Sequence, residues 1–171
     1  EAVVGRLPDK FTQKIVITSG PTRTYIDPVR FITNKSSGRM GHTLTMAALE
    51  AGAEVVLITG PVESKWQDLP VAQVIRVETT NEMLQALTEQ IDDACIIIGA
   101  AAVSDFDYDT EAHKLSRQET VTLHLKAAPD VMATVPKKAQ QVFIGFAAQH
   151  GDSEAELEKA ASKLQRKGLD F

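Results

Sequence analysis

Short runs of β-branched and aliphatic residues alternate with amphipathic stretches along most of the chain. The runs are KIVITSG (14–20), AEVVLITG (53–60), AQVIRVET (72–79), ACIIIGAAAV (94–103), TVTLHLK (120–126) and QVFIGFAA (141–148). Most are continuously apolar, as expected of strands covered on both faces in a parallel sheet. TVTLHLK alternates instead, which predicts an antiparallel arm with one wet side. Between the runs, residues 38–51 place Met40, Leu44, Ala47, Ala48 and Ala51 at helical spacing, with Gly52 as the stop. Residues 81–91 do the same with Met83, Leu84, Leu87 and Ile91. Ser153 and Glu156 form a capping box ahead of Leu157, Ala160, Ala161 and Leu164. A shorter helix is predicted from about Pro129, which a first turn tolerates. The expected fold class is α/β: a Rossmann-like, doubly wound, mostly parallel sheet with helices on both faces and a projecting β arm.

Ligands of such sheets sit outside the carboxyl ends of the strands, so the loops after residues 18, 60, 102 and 147 come first. The loop after the first strand is unusually long. PTRTYIDPVRFITNKSSGRMG separates strand from helix, too much for a G-x-G-x-x-G turn. The next strand ends in Thr59-Gly60-Pro61, with no acid for a ribose. The segment Ser37-Gly38-Arg39-Met40-Gly41 still offers free N–H groups at a positive helix end, an anion site, although turn geometry also explains its glycines.

Composition narrows the function classes. The 171 residues are 43% hydrophobic and 24% charged, ordinary for a single globular domain that needs no disulfides. Cys95 is the single cysteine, lies in an apolar run, and reads as a small core residue of a protein in a reducing cytosol. A net charge of −5 disfavours a general nucleic-acid or membrane surface but leaves room for a small anionic ligand. No apolar run approaches the ~20 residues of a membrane span, and no signal peptide opens the chain. Residues 1–13 read as a linker or the tail of a preceding domain, and 14–171 as the functional domain. A cytoplasmic location is expected. His42, His113, His124 and His150 show no metal spacing, and no metal ligand is assigned.

SGPTRTYIDPVRFITNKSSGRMG followed by GAAAVSDF resembles bacterial phosphopantothenate–cysteine ligase. In many bacteria that ligase is the carboxyl-terminal half of a bifunctional protein whose other half is a flavin-dependent decarboxylase. The APDV, IGFAA and final Lys-x-x-x-Lys segments follow in the family's order, so the resemblance runs from about Lys14 to Asp170. It implies CTP-dependent joining of 4′-phosphopantothenate to L-cysteine through an acyl-cytidylate, on the route to coenzyme A. It further implies Mg²⁺, a homodimer with its site near the subunit boundary, and FMN only if the decarboxylase domain is attached. Relatives continue past the strand that begins at Leu169, so the domain is expected to lack its C-terminal end.

By the same resemblance, Asn34, Arg30 and Lys114 are the catalytic candidates. Arg30, Asn34, Ser37, Gly38 and Ala102 are expected to bind phosphopantothenate. Gly99, Ala100, Ala101, Asp105, Lys114, Ala128, Pro129, Asp130, Val131, Phe146, Lys163 and Lys167 are expected to bind CTP. This chain departs from the family at Ser116, Ala128 and Gln149, and the weight of Arg117 is left open. Close packing of a helix on the sheet also explains Gly99–Ala101, and core packing also explains Phe146. Two other classes remain: a Rossmann-type NAD(P)-dependent oxidoreductase, which would need the missing glycine fingerprint, and a non-catalytic nucleotide-binding module.

Overall fold

A computed structural model of the chain describes residues 13–63, 69–71, 73–117, 120–146, 161–162 and 164–171. Five strands form the central sheet: β1 (Lys14–Ser19), β4 (Glu54–Thr59), β5 (Gln73–Arg76), β6 (Ile96–Gly99) and β9 (Val142–Gly145). Their order is β5-β4-β1-β6-β9 and every pairing is parallel. Numbered among themselves, these strands run 3-2-1-4-5, the doubly wound order. The register sets Ile15, Val16 and Ile17 of β1 beside Val55, Val56 and Leu57 on one side and Ile96, Ile97 and Ile98 on the other.

Side chains of successive strand residues leave opposite faces of a sheet, and here each face has its own core. Ile15, Ile17, Val55, Leu57 and Ile98 pack under Leu44, Ala48 and Leu49 of α1 (Arg39–Glu50). Val16, Val56, Ile58, Ile97 and Phe143 pack under α2 (Thr80–Gln90) and α3 (Val131–Thr134). Ile17, Leu57, Ile58, Met83, Leu87 and Phe143 are almost fully buried. Each such side chain stabilises the fold by about 1.5–3 kcal/mol relative to leaving it exposed. Among the described residues no helix is long and apolar enough to cross a membrane.

Several expectations need correction. In α1 the buried residues are Gly41 and Thr45, whereas Met40 is 51% exposed and Ala47 is exposed. The close approach of helix to sheet selects small residues at 41 and 45, which share one face with Leu44 and Ala48 of the expected stripe. The alternating TVTLHLK segment does not form a strand over its length. Only β8 (Lys126–Ala127) pairs, antiparallel, with β7 (Phe106–Asp107), and Val121 and Leu125 stay exposed. Alternation alone does not make a strand, and among the described residues only Lys126–Ala127 find a pairing partner. Cys95 is half-buried, just before β6, rather than a core residue. The helix near Pro129 starts at Val131 with Asp130 as its cap. The long loop after β1 contains an unpredicted hairpin, β2 (Arg23–Tyr25) against β3 (Phe31–Thr33), whose strands are too short to show a period. The predicted helix from Ser153 lies outside the described residues.

Candidate functional site

The strand order reverses between β1 and β6. Helix α1 leaves β1 over one face, while α2 and α3 cover the other, so a crevice opens at the carboxyl ends of these two strands. Pairing continues past the strands themselves. The Ala100 N–H donates to the Thr18 carbonyl (3.1 Å), and the Ala102 N–H donates to the Gly20 carbonyl (2.8 Å). Ala100, Ala101 and Ala102 therefore carry methyl groups only where the crevice opens. Gly99 has a packing reason of its own: a Cβ there would lie 2.9 Å from the Met132 sulfur of α3.

The loop that follows is held by a buried hydroxyl network. Thr22 Oγ1 accepts the Ser104 N–H (2.8 Å) and meets Thr80 Oγ1 (3.0 Å), while Thr24 Oγ1 meets Ser104 Oγ (2.9 Å). All four residues are buried. Thr22, Thr24, Thr80 and Ser104 escaped the sequence reading because small hydroxyl residues carry no periodic signal and their partners lie 24–82 positions away.

Asn34 follows β3 and reaches across to this loop. Its Nδ2 donates to the carbonyls of Ala102 (3.1 Å) and Val103 (2.9 Å). Two acceptor carbonyls fix which end of the amide is nitrogen. Asn34 also lines a cleft of about 370 Å³ with Ser37, Lys35, Thr33, Arg23 and Pro61. Helix α1 starts beside it. Gly38 adopts φ 78°, a left-handed conformation suited to glycine, and has no side chain to cap the helix; Ser37 Oγ accepts from the Arg39 N–H (3.3 Å) and Ser36 Oγ from the Gly38 N–H (3.4 Å) instead. A Cβ on Gly41 would fall on the Ser19 side chain and 3.1 Å from its Cα, so only glycine lets α1 approach the end of β1 this closely. The expected anion site at Ser37 and Gly38 lies at this helix start, where serine hydroxyls accept from the Gly38 and Arg39 N–H groups.

Arg30 sits at the other end of β3, at the hairpin turn, and lines a different cleft. That cleft, of about 450 Å³, is formed with Lys114, Leu115, Ser116, Arg117 and Val121. Arg117, left open by the sequence, is thereby brought beside Arg30 and Lys114. Behind them Asp27 is fully buried. Its Oδ2 accepts from Arg30 Nε (2.9 Å), Arg30 Nη2 and the Leu115 N–H (3.1 Å), and its Oδ1 accepts from the N–H groups of Val29 and Arg30 (2.8 Å each). The Arg30 guanidinium, helped by these backbone N–H groups, holds the Asp27 carboxyl well below the usual carboxylate range, against the opposing effect of burial.

The remaining candidates gather on the β6–β9 side. The Ala128 N–H donates to the Asp105 carbonyl (3.0 Å), and the Phe146 N–H to the Gly99 carbonyl (3.3 Å). Asp130 caps α3 through the Ala133 N–H (3.3 Å), and its carboxylate pairs with Lys167 (3.0 Å). Phe146 is 49% exposed, so core packing does not account for its ring. Val131, the first residue of α3, is buried against the sheet core, and Pro129 is half-buried ahead of the cap. Lys163 and Gln149 lie outside the described residues.

Comparison with known proteins decides the family. The model of the "DNA/pantothenate metabolism flavoprotein C-terminal domain" family matches residues 11–171. The chain belongs to this family. Among curated proteins similar to it, "Coenzyme A biosynthesis bifunctional protein CoaBC" of Bacillus subtilis is 44% identical over 160 residues, covering 92% of this chain and 38% of the relative. The chain thus spans about two-fifths of the length of the curated relatives it matches. A crystal structure of the C-terminal domain of a coenzyme A biosynthesis bifunctional protein CoaBC superposes with a TM-score of 0.75 at 34% identity, covering 92% of this chain and 74% of that one. The Streptococcus pneumoniae DNA/pantothenate metabolism flavoprotein superposes with a TM-score of 0.82 at 29% identity, covering 93% and 80%. The fold and the family read from the DPVR and GAAAVSDF segments are therefore those of this flavoprotein C-terminal domain.

In this member of the family, the described residues contain no group of three His, Cys, Asp or Glu side chains able to hold a metal ion.

Proposed function

We propose that the chain performs the ligase step of coenzyme A biosynthesis, joining 4′-phosphopantothenate to L-cysteine with CTP. The observation that carries this reading is the crevice at the β1–β6 switch point. There Asn34 is tied to the Ala102–Val103 backbone beside the start of α1, in a member of a pantothenate-metabolism family. A substrate carboxylate oxygen attacks the α-phosphorus of CTP and pyrophosphate leaves. The amine of cysteine then attacks the acyl carbon, the C–N bond forms, and CMP departs with the bonding electron pair. Neither step needs a protein nucleophile. Positioning and neutralisation of phosphate charge supply the acceleration.

In this reading Lys114, with Arg117 beside it, faces the triphosphate, and Lys167, Asp130, Asp105 and Phe146 form the nucleotide side. Ser37, Gly38, Arg30, Asn34 and Ala102 serve phosphopantothenate. Asn34 enters with both amide hydrogens on backbone carbonyls, so it stabilises the acyl carbonyl by exchanging one backbone acceptor for the substrate oxygen. The ligase works as a two-fold homodimer, a reading supported by the exposed side chains of Val29 (60%), Phe106 (52%) and Val121 (49%) at the hairpin and arm. In the whole protein a flavin-dependent decarboxylase domain precedes it, and FMN belongs to that domain.

Pyrophosphate release tests the reading. With CTP it should require phosphopantothenate, be slower with ATP, and be followed by CMP once cysteine is added. Absence of phosphopantothenate-dependent release, or tight binding of NADPH in place of CTP, overturns it.

A further inference from the structure

We propose that Asp27 is a positioning residue that clamps the 108–117 segment onto the β2–β3 hairpin, so that Arg30 and Lys114 face one cleft. The inference deepens the ligase reading and rests on it for its kinetic consequence only. Five hydrogen bonds converge on this one carboxylate, and its two oxygens divide the work. Oδ1 accepts only from the turn's own N–H groups, Val29 and Arg30, which is ordinary turn chemistry. Oδ2 reaches outward, accepting from the guanidinium of Arg30 and from the N–H of Leu115, 88 residues away. Arg30 Nη2 closes the circle by donating to the Leu115 carbonyl (2.9 Å).

The clamp is the last of three ties along the same edge. Thr110 Oγ1 donates to the Tyr25 carbonyl (3.0 Å) and the Glu111 N–H to the Ile26 carbonyl (2.9 Å). Residues 25, 26 and 27 therefore each hold the segment that carries Lys114. A guanidinium with one edge in a buried carboxylate cannot swing freely. Arg30 is fixed with Nη1 as its nitrogen without a partner among the described residues, and its side chain is 44% exposed at the cleft. A carboxylate able to accept from both a side-chain fork and a loop N–H is needed. Asparagine at 27 can still serve the turn through its oxygen, but its nitrogen cannot accept from Leu115 or Arg30.

The test is Asp27→Asn in the full chain. Amide hydrogen exchange without ligand should show Leu115 exchanging at least about tenfold faster, while Ile17 and Leu57 in the central strands are unchanged. If Asp27→Asn does not fold, the charge-neutral pair D27N/R30Q carries the same measurement. Unchanged protection at Leu115 overturns the clamp, whatever the reaction proves to be. For the consequence, CTP-dependent pyrophosphate release is compared in Asp27→Asn, Arg30→Gln and the double variant. Each single change should lower kcat/KM about tenfold or more, and the double should be no worse than Arg30→Gln within about twofold, because both changes disable the same fork. Strictly multiplicative losses, or a melting-temperature drop with kcat/KM intact, overturn the positioning role. A wild-type chain that releases no pyrophosphate sinks the ligase reading and leaves Leu115 exchange to decide the clamp.

Discussion

Lys167 Nζ lies 3.0 Å from Asp130 Oδ2, so a lysine expected to hold phosphate is already paired with the carboxylate that caps α3. The two side chains are 31% and 37% exposed, and a pair so open to solvent contributes at most about 1 kcal/mol. An arriving triphosphate competes with Asp130 for the ammonium. Lys167→Gln should therefore leave the thermal midpoint nearly unchanged and raise the KM for CTP several-fold, read by pyrophosphate release. An unchanged KM would make Lys167 a tether for α3 and nothing more.

Gly41→Ala should destabilise the fold by roughly 1–3 kcal/mol, as overpacking does. The added methyl falls on Ser19, whose Oγ donates to the Gly38 carbonyl (3.3 Å), so α1 must move away from β1. Urea midpoints for the two proteins measure this. Equal midpoints would mean that the helix can shift without cost.

Acid should weaken the protein with a predictable sign. Asp27 is lowered by Arg30, Asp93 by Lys14, Asp170 by Lys137, and Glu82 by the N–H groups of Glu78 and Thr79. A depressed folded pKa means that the unfolded chain binds protons first. Stability from these groups is complete above the ordinary carboxylate range near ~4 and is lost as pH falls through the folded values. Urea midpoints should drop steadily below about pH 4, and Asp27→Asn should flatten that limb. Parallel limbs would mean that Asp27 is not among the titrating groups.

Asn34→Asp should separate the two half-reactions. A carboxylate cannot donate to the carbonyls of Ala102 and Val103 and repels charge growing on an acyl oxygen. Loss of such a donor costs on the order of 10²–10³ in rate. Pyrophosphate should be released about once per site with little CMP after it, and mass spectrometry should detect the accumulated cytidylate. Normal turnover to phosphopantothenoylcysteine would leave Asn34 as a loop fastener.

The chain should sediment as a dimer. Val121→Glu should shift it toward monomer, because that side chain is 49% exposed and a charge there disfavours burial. A monomer in both cases would reject the two-fold assembly.

The apolar runs alone determined the parallel sheet, because continuous runs such as KIVIT and EVVLIT are stable only when covered on both faces. The specific segments DPVRFITNKSSGRMG and GAAAVSDF pointed to the family, and the family match over residues 11–171 agrees with them. Tertiary structure alone decided what those residues touch. Hairpin β2–β3 owes its form to long-range partners: Thr22 and Thr24 meet Thr80 and Ser104, and no local period announces them. Asp27 drew no reading from the sequence, and only burial against Arg30 and Leu115 makes it the centre of five hydrogen bonds. The TVTLHLK alternation predicted an antiparallel arm, and the arm is present only at its end, where Lys126–Ala127 meet Phe106–Asp107, because a strand forms only where a partner strand reaches it. Periodicity reports what each segment can bury. Which cation meets which carboxylate is set by the three-dimensional approach of segments far apart in the chain, and a linear pattern does not encode that.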